Sequence, residues 1–166
     1  MIRTATPTDA PAIAAIYNHA VTHTTAIWND VSVDAENRAI WMQDRFAAGM
    51  PVLVWDQEGV QGYASYGPWR AFDGYRQTVE HSVYVAPEAQ GGGIGRRLLE
   101  ALITQARADG LHVMVAGIEA QNSASIALHK RLGFTQTGLM PEVGQKFGRW
   151  LDLAFLQLAL DDRPAP

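Results

Sequence analysis

The sequence predicts a mixed α/β protein built on one sheet of about seven strands rather than a doubly wound parallel sheet. Apolar residues recur at helical spacing in four segments and follow strand-like patterns in seven others. The predicted order is strand, two helices, three strands, helix, strand, helix, two strands. Consecutive strands with no helix between them argue against the repeating strand-helix alternation of a doubly wound fold.

The first fifty residues predict one short strand and two helices. Residues 2–5 form the strand, and Thr6-Pro7-Thr8-Asp9 supplies capping hydroxyls and a helix-opening proline. The first helix then carries an apolar stripe at Ile13, Ile16, Tyr17 and Ala20. Asp34 as N-cap and Gly49 as stop delimit the second helix.

Three strands follow. Residues 51–55 and 60–66 predict a hairpin around Asp56-Gln57-Glu58-Gly59, and residues 78–85 form a third strand that Pro87 ends. The rest of the chain predicts a helix with its apolar stripe from Leu98 to Ala106, a strand at 111–118, a helix at 123–132 that Gly133 terminates, and closing strands at 135–140 and 150–160.

Length and composition limit the functional classes. At 166 residues, with 48% hydrophobic and 18% charged residues, the chain is expected to form one domain over residues 1–166, with a disordered tail at 160–166. A net charge of -4 and the lack of any long Lys/Arg run exclude nucleic acid as the expected partner. No window is long and apolar enough for a signal peptide or a membrane span, so we expect a cytoplasmic protein and no membrane partner. The absence of cysteine excludes disulfides and thiolate nucleophiles.

A glycine cluster marks the junction between the third long strand and the third helix, in the segment Gln90-Gly91-Gly92-Gly93-Ile94-Gly95-Arg96-Arg97. Glycines let backbone N–H groups converge without obstruction, and the helix adds its positive N-terminal end. Such a turn suits a pyrophosphate, although a plain flexible turn is the alternative. No Lys-Ser/Thr pair follows, and Arg96 stands where GxGxxG requires glycine, so neither common nucleotide motif is satisfied.

The spacing does match QxxGxG at Gln90, Gly93 and Gly95, which resembles the coenzyme A signature of the GCN5-related N-acetyltransferase (GNAT) family. The element order and the segment Asn122…Leu128-His129…Leu132-Gly133-Phe134 are also similar to that family. Within it, the segments 78–85, 26–29 and 146–152 resemble the bacterial phosphinothricin and methionine sulfoximine or sulfone acetyltransferases. The resemblance extends over nearly the whole chain.

This resemblance implies a mostly antiparallel seven-stranded sheet with helices on both faces and a splayed central strand pair. It implies acetyl-CoA as acetyl donor and a small amino-acid-like amine as acceptor. It also implies a homodimer and a role in resistance to herbicide or antibiotic amino-acid analogues. Neither His81 nor His129 pairs with a second ligand at metal spacing, so we expect no metal.

The resemblance further implies which residues hold the donor. Val83, Tyr84 and Val85 present backbone groups to the pantetheine arm, which lies beside them like an added strand. The pyrophosphate is expected at Gly91, Gly92, Gly93, Ile94, Gly95 and Arg96, with Asn122 bonding the donor from the opposite splayed strand. Many relatives carry Lys or Arg where Gly92 stands, and we expect Arg96 and Arg97 to compensate for that missing charge.

Two titratable residues are candidate catalytic groups. Glu80, at the centre of its strand, is the expected general base, because an amine must lose a proton before it attacks a thioester. The alternative is a strand glutamate that faces solvent or pairs with an arginine. His129 stands where many relatives have a tyrosine that protonates the departing thiolate, and an imidazole with a pKa near 6.5 suits that task. The alternative for His129 is a helix histidine packed by the donor.

The expected acceptor site combines an arginine with aromatic residues. The loop Trp69-Arg70-Ala71-Phe72 suits a carboxylate with an apolar arm, although loop aromatics also cap cores. Its expected members are Trp28, Asn29, Arg70, Ala71, Phe72, Glu80, His81, Ser82 and Lys146, the last contributed across a dimer interface. His81 should face away from Glu80 because strand side chains alternate.

Two other functions remain open. Acetylation of a protein N-terminus or a lysine would use the same donor site with a more open acceptor groove, and bulky Trp28, Trp69 and Phe72 favour a small acceptor instead. A module that binds acetyl-CoA without catalysis would release no thiol.

Overall fold

The computed structural model describes residues 1–166. Its strands are Ile2–Thr4 (β1), Val52–Asp56 (β2), Val60–Pro68 (β3), Thr78–Val85 (β4), Val113–Glu119 (β5), Thr135–Lys146 (β6) and Arg149–Ala159 (β7). Its helices are Ala10–His23 (α1), Ala35–Ala47 (α2), Ile94–Ala108 (α3) and Ser123–Arg131 (α4). Single 3₁₀ turns at Pro7–Asp9, Asp73–Tyr75 and Pro87–Ala89 complete the secondary structure.

The seven strands form one sheet in the order β1-β2-β3-β4-β5-β7-β6. The pairs β1–β2, β2–β3, β5–β7 and β6–β7 are antiparallel, whereas β4 and β5 run parallel. The predicted mixed, mostly antiparallel sheet is therefore confirmed. The parallel ladder pairs only residues 78–80 with 113–115, although both strands continue beyond it. This short ladder is the expected splayed central pair.

The chain divides into two compact units, and the first comprises residues 1–66 and 82–102. One face of its strands carries a core in which α1 and α2 pack against β2 and β3. The register Val54↔Tyr63 places these two side chains on one face, while Leu53↔Ala64 places the next pair on the other. The core residues on the α1 and α2 face are Ala10, Ile13, Ile16, Met42, Val52, Val54 and Tyr63.

The other face of the first unit is covered by α3, which depends on a glycine in β3. A Cβ at Gly62 would lie 3.1 Å from Ile94 Cγ2 and 3.2 Å from Leu98 Cδ1, both on α3, and 3.1 Å from the Tyr84 carbonyl oxygen. Only a residue without a side chain lets the helix and the neighbouring strand come this close. Helices thus cover both faces of the sheet, as the sequence predicts.

The second unit comprises residues 67–81 and 103–166 and contains β5, β7 and β6. Strand β5 pairs with β7 from Val113↔Ala159 to Glu119↔Leu153, and β7 pairs with β6. The β6–β7 hairpin closes through Phe147 and Gly148, whose φ values of 52° and 72° are those of a tight two-residue turn. Residues 141–143 form a bulge, in which the Glu142 N–H donates to Asp152 Oδ1 at 2.8 Å.

Two boundaries differ by more than two residues from those that the sequence predicts. Strand β6 continues to Lys146 instead of ending near Met140, because the bulge absorbs Pro141 and the ladder to β7 resumes at Gly144↔Leu151. Residues 160–163 are held in place rather than forming part of a loose tail. Leu160 is buried and its N–H donates to the His112 carbonyl at 2.8 Å, while Asp161 accepts from His112 and Arg163.

The close approach of α3 to Gly62 predicts that Gly62→Ala destabilises the protein. The added methyl would meet two side chains and a backbone oxygen at 3.1–3.2 Å, so we expect a loss of about 1–3 kcal/mol in the free energy of unfolding. Chemical denaturation measures this loss. Gly74→Ala is the matched control, because a Cβ there meets no atom within 4 Å. Equal stability of the two variants would contradict the packing described for α3.

Candidate functional site

Glu80 lies at the last pair of the parallel ladder, opposite Val115. Its carboxylate occupies space beside β5 that a glycine leaves open, since a Cβ at Gly117 would lie 2.9 Å from Glu80 Oε1. Burial raises the pKa of the Glu80 carboxyl, and the positive charge of Arg70 opposes that rise. The site therefore contains a half-buried carboxylate whose proton affinity is increased while a nearby cation favours its ionised form.

The turn before α3 has the backbone that an anion site needs. Gly91 and Gly93 adopt φ values of 81° and 80°, a region that side chains rarely enter. The Gln90 side chain donates to the Val85 carbonyl oxygen at 3.3 Å, which ties the turn to the end of β4. The first N–H groups of a helix have no partner within the helix, so those at residues 94–96 suit a diphosphate. The residues present thus fit the phosphates of coenzyme A.

Both arginines expected to replace the missing loop charge already have partners. Arg96 donates through Nε to Glu100 Oε1 at 2.8 Å, an exposed pair one turn along α3. Arg97 lies with its guanidinium carbon 5.2 Å from the centre of the Trp55 ring. A Cβ at Gly92 would meet only the Ala89 carbonyl oxygen, at 3.6 Å, so a side chain would fit at this position. The turn therefore offers an anion chiefly its backbone N–H groups.

His81 and His129 form a stacked pair of imidazoles. Their Nε2 atoms lie 3.0 Å apart, and the rings are inclined by 14° with centres 5.0 Å apart. His129 Nδ1 lies 2.7 Å from the Ser125 carbonyl oxygen, which can only accept, so this nitrogen carries the proton. In the neutral ring His129 Nε2 is then the acceptor, and His81 Nε2 is the donor.

This bonding leaves Nδ1 of His81 unprotonated, buried and without a hydrogen-bond partner. Burial and, to a smaller extent, the nearby His129 together lower the pKa of His81 to about 3. Burial also lowers the pKa of His129. Phe134 contacts both rings edge-on, with centres 5.8 Å and 5.1 Å away. The two histidines are thus a neutral pair in an apolar setting, on the side of β4 that alternation predicts for His81.

Asn122 differs from its expected position on a splayed strand. Strand β5 ends at Glu119, and Asn122 is the N-cap of α4, where its Oδ1 accepts from the Ser125 N–H at 3.1 Å. Asparagine is favoured at this position because its short side chain reaches the unpaired N–H groups of the first turn. The Oδ1 atom therefore serves the helix, and the two Nδ2 hydrogens are the donors this bond does not use.

The loop Trp69-Arg70-Ala71-Phe72, called the aromatic loop below, places a cation beside an aromatic ring. The Arg70 guanidinium carbon lies 5.0 Å from the centre of the Trp69 ring, and Trp69 meets Phe155 of β7 edge-on at 5.4 Å. Arg70 and Ala71 are exposed, and Phe72 is 77% exposed. The structure thus brings Glu80 and Arg70 into electrostatic contact, whereas Ala71 and Phe72 make no packed wall.

The remaining predicted acceptor residues have separate local roles. Trp28 donates to the Thr25 carbonyl at 2.9 Å, and Asn29 donates to the Tyr17 hydroxyl at 2.6 Å. Lys146 is buried at the end of β6, with its Nζ 4.9 Å from the centre of the Phe147 ring. Ser82, Val83, Tyr84 and Val85 are half-buried along β4.

Sequence reasoning missed the contribution of β6 and β7 to this region. Phe155 packs on Trp69, yet nothing in its apolar neighbourhood distinguishes it from a core residue. The role of Gln90 in tying the glycine turn to β4 was likewise not predicted, although its place in QxxGxG pointed to it. Among the titratable side chains, no group of three or more is arranged to hold a metal ion, and no helix is long and apolar enough to cross a membrane.

Comparisons with known proteins agree with this geometry. The profile of the acetyltransferase (GNAT) family matches residues 13–134. The chain is 62% identical over 166 residues to an L-methionine sulfoximine/L-methionine sulfone acetyltransferase of Salmonella typhimurium, covering 99% of this chain and 97% of the relative. It is 38% identical over 162 residues to a phosphinothricin N-acetyltransferase of Alcaligenes faecalis, covering 96% and 82% of the two chains.

A solved structure is equally similar. An acetyltransferase from Salmonella typhimurium, determined with its cofactor acetyl-CoA, superimposes with a TM-score of 0.97 at 62% identity and covers 100% of this chain and 96% of that one. The family profile, the sequence identity and the fold agree over nearly the whole chain. This protein belongs to the GNAT family of acetyltransferases.

Proposed function

We propose that this enzyme transfers an acetyl group from acetyl-CoA to the α-amine of a small amino acid, such as methionine sulfoximine or methionine sulfone. The observation that carries the proposal is the Glu80 carboxylate beside Gly117, with its pKa raised by burial and with Arg70 nearby. The 62% identity to a methionine sulfoximine/sulfone acetyltransferase supports the choice of acceptor. The lower identity of 38% to a phosphinothricin acetyltransferase makes phosphinothricin the weaker candidate.

Glu80 is the general base of the proposed reaction. An α-amine with a pKa of about 8 is roughly one-tenth neutral at pH 7, a deficit of about 1.4 kcal/mol. Glu80 removes the proton directly or through one water, and the raised pKa of its carboxyl makes it a better acceptor for that proton. The amine nitrogen then bonds to the thioester carbonyl carbon, the carbon–sulfur bond breaks, and the thiolate leaves and takes up a proton. A backbone N–H near Tyr84 stabilises the negative oxygen.

The donor is held by backbone groups of the first unit. Val83, Tyr84 and Val85 lie on the same strand as Glu80, three to five residues further along, and face the pantetheine arm. The pyrophosphate lies at the turn formed by Gly91, Gly92, Gly93, Ile94, Gly95 and Arg96, in which Gly91 and Gly93 adopt left-handed φ values. Asn122 adds a donor from its Nδ2 group.

Arg70 binds the carboxylate of the acceptor. Its guanidinium lies over Trp69 and acts electrostatically on Glu80, so one small molecule can place its amine at Glu80 and its carboxylate at Arg70. The other residues proposed for acceptor binding are Trp28, Asn29, Ala71, Phe72, Ser82 and Lys146. His81, predicted from the sequence to join them, points to the opposite face of β4, where its Nε2 lies 3.0 Å from His129 Nε2. Assembly as a homodimer, with Lys146 acting across the interface, and resistance to toxic amino-acid analogues are further parts of this proposal.

For His129 the two candidate roles are a proton donor to the departing thiolate and a packed helix histidine. The geometry supports a packed, neutral histidine. Its Nδ1 donates to Ser125 and its Nε2 accepts from His81, so neither nitrogen presents a proton to a leaving group in this arrangement. The low pKa of the ring argues in the same direction, because a neutral imidazole at pH 7 holds only the Nδ1 proton. Thiolate protonation by His129 would require that the pair first separate.

Two other activities give different results in one assay. Release of free CoA is followed with methionine sulfone, with other amino acids, and with peptides that carry a free N-terminus or lysine. An amino-acid acetyltransferase releases thiol with the free amino acids, and a protein acetyltransferase does so only with peptides. A module that binds acetyl-CoA without catalysis releases none.

Glu80→Gln should lower kcat about tenfold at neutral pH, the factor by which the protonated amine outnumbers the neutral one, while leaving the KM for acetyl-CoA nearly unchanged. The amide has the same shape as the carboxylate and cannot take the proton from the amine. Steady-state kinetics with methionine sulfone measure both constants. Glu36→Gln, an acidic residue in the first turn of α2, is the control and should retain wild-type rates. An undiminished kcat for Glu80→Gln would remove this residue from the mechanism.

Arg70→Ala should raise the KM for methionine sulfone about tenfold, because a charge-assisted hydrogen bond to the acceptor carboxylate is lost. The wild-type enzyme should show a similar increase when the acceptor carboxylate is replaced by a carboxamide, and Arg70→Ala should add little to it. Arg76→Ala, an exposed arginine of the same loop, is the matched control. If Arg70→Ala and wild type share one KM, the carboxylate binds elsewhere.

His81→Asn should flatten the fall in stability at mildly acidic pH. In the folded protein the pKa of His81 is about 3 against 6.5 for a free ring, so between these values the unfolded chain binds more protons. Stability is therefore complete above pH 6.5 and falls as pH is lowered, by roughly 2 kcal/mol from pH 7 to 5. Denaturation midpoints over this range measure the slope. His23→Asn, at an exposed site, should keep the wild-type slope, and an unchanged slope for His81→Asn would contradict the neutral pair.

A further inference from the structure

A cleft of about 370 Å³ opens on the second unit beneath the aromatic loop. Its walls come from the loop before β4, from β4 and β5, and from the β6–β7 hairpin. The residues that line it are Trp69, Tyr75, Thr78, Val113, Val115, Thr137, Gly138, Phe155 and Gln157. Apart from Trp69, which belongs to the predicted acceptor loop, none of the residues proposed above for catalysis or acceptor binding is among them.

The cleft lies on the face of the sheet to which Glu80 points. Thr78 and Glu80 are two residues apart on β4, so their side chains share a face. On β5, Val113 and Val115 share a face with Gly117, whose missing Cβ makes room for the Glu80 carboxylate. The register Val115↔Gln157 and Gly117↔Phe155 extends the same face across β7. The cleft therefore begins one side-chain spacing from the proposed base, about 6–7 Å along the strand.

The chemistry of the walls suits one kind of side chain. Trp69 and Phe155 meet edge-on at 5.4 Å and provide apolar surface, with Tyr75 beside them. Thr78, Thr137 and Gln157 add hydroxyl and amide groups, and no lining residue carries a charge. The Thr137 hydroxyl lies 3.5 Å from the Phe155 carbonyl oxygen, which is too far for a strong hydrogen bond. The hydroxyl can therefore turn toward a ligand. An uncharged side chain with an apolar stem and an oxygen-bearing tip fits these walls.

We propose that this cleft is the subsite for the acceptor's side chain, and that Gln157 and Thr137 select for an uncharged tip with hydrogen-bond-accepting oxygens. The inference rests on the proposed function, because it takes the acceptor amine to lie at Glu80. With the carboxylate at Arg70, an unbranched side chain of methionine length reaches past Thr78 into the cleft. The Gln157 amide and the Thr137 hydroxyl donate to the sulfone or sulfoximine oxygens.

The selection for oxygen is tested by Gln157→Leu with two acceptors of equal length. Methionine sulfone carries the oxygens, and norleucine has an unbranched side chain of the same length without them. The variant should lower kcat/KM for the sulfone about fivefold relative to that for norleucine, the effect of one neutral hydrogen bond. Gln136→Leu, the same change on β6 outside the cleft, should keep the wild-type ratio. An unchanged ratio in Gln157→Leu would overturn the role of this amide.

Occupation of the cleft is tested separately by filling it. A Cβ at Gly138 meets no atom within 4 Å, so Gly138→Leu adds bulk to the cleft without a clash at Cβ. This variant should lower kcat/KM for methionine sulfone about tenfold and leave that for alanine unchanged, since alanine has no side chain to place there. Equal effects on the two acceptors would overturn the subsite.

The wild-type enzyme separates this inference from the function beneath it. If wild type acetylates neither methionine sulfone nor norleucine, the proposed function itself fails. If wild type acetylates the sulfone and both variants keep its selectivity, only the subsite fails. Denaturation midpoints of the variants show whether each is folded under the assay conditions.

Discussion

The site depends on one short interaction, the three-residue parallel ladder between β4 and β5. The ladder ends at Glu80↔Val115, which places the carboxylate at the point where pairing stops. Gly117, two residues further along β5, leaves room for that carboxylate, because any side chain would meet it at 2.9 Å. A longer ladder would carry β5 side chains alongside the rest of β4. The position of the Glu80 carboxylate, and the unpaired backbone that follows it toward β5, are consequences of this early end.

Side-chain alternation along β4 then separates two titratable residues that are neighbours in sequence. Glu80 shares its face with an arginine and an uncharged cleft, so burial raises its pKa while Arg70 favours its ionised form. His81 points to the other face, where His129 and Phe134 surround it and its pKa falls to about 3. Two consecutive residues thus carry a carboxylate with a raised pKa and a neutral imidazole on opposite faces of the sheet. Burial acts on both and opposes charge in each.

The comparison of sequence and structure shows which features local patterns carry. The bounds of β4 and the glycine turn were predictable, because proline, glycine and β-branched residues act within a few positions. The QxxGxG spacing likewise predicted the turn between β4 and α3, in which Gly91 and Gly93 adopt positive φ values. The use of Asn122 as a helix cap and the length of β6 were not predicted. Both depend on partners elsewhere in the chain: the Ser125 N–H for the cap, and the β7 ladder that resumes beyond the bulge for the strand.

The sequence by itself therefore determined the family, the element order, the glycine turn before α3 and the candidate base. These rest on short-range patterns of residue type. The tertiary structure alone decided the pairing of His81 with His129, the space at Gly117 and the cleft lined by Gln157. Each of these brings together residues from separate elements, at distances set by strand register and helix packing. Strand register and helix packing are set by how the whole chain buries its apolar surface. No short segment of sequence is enough to specify them.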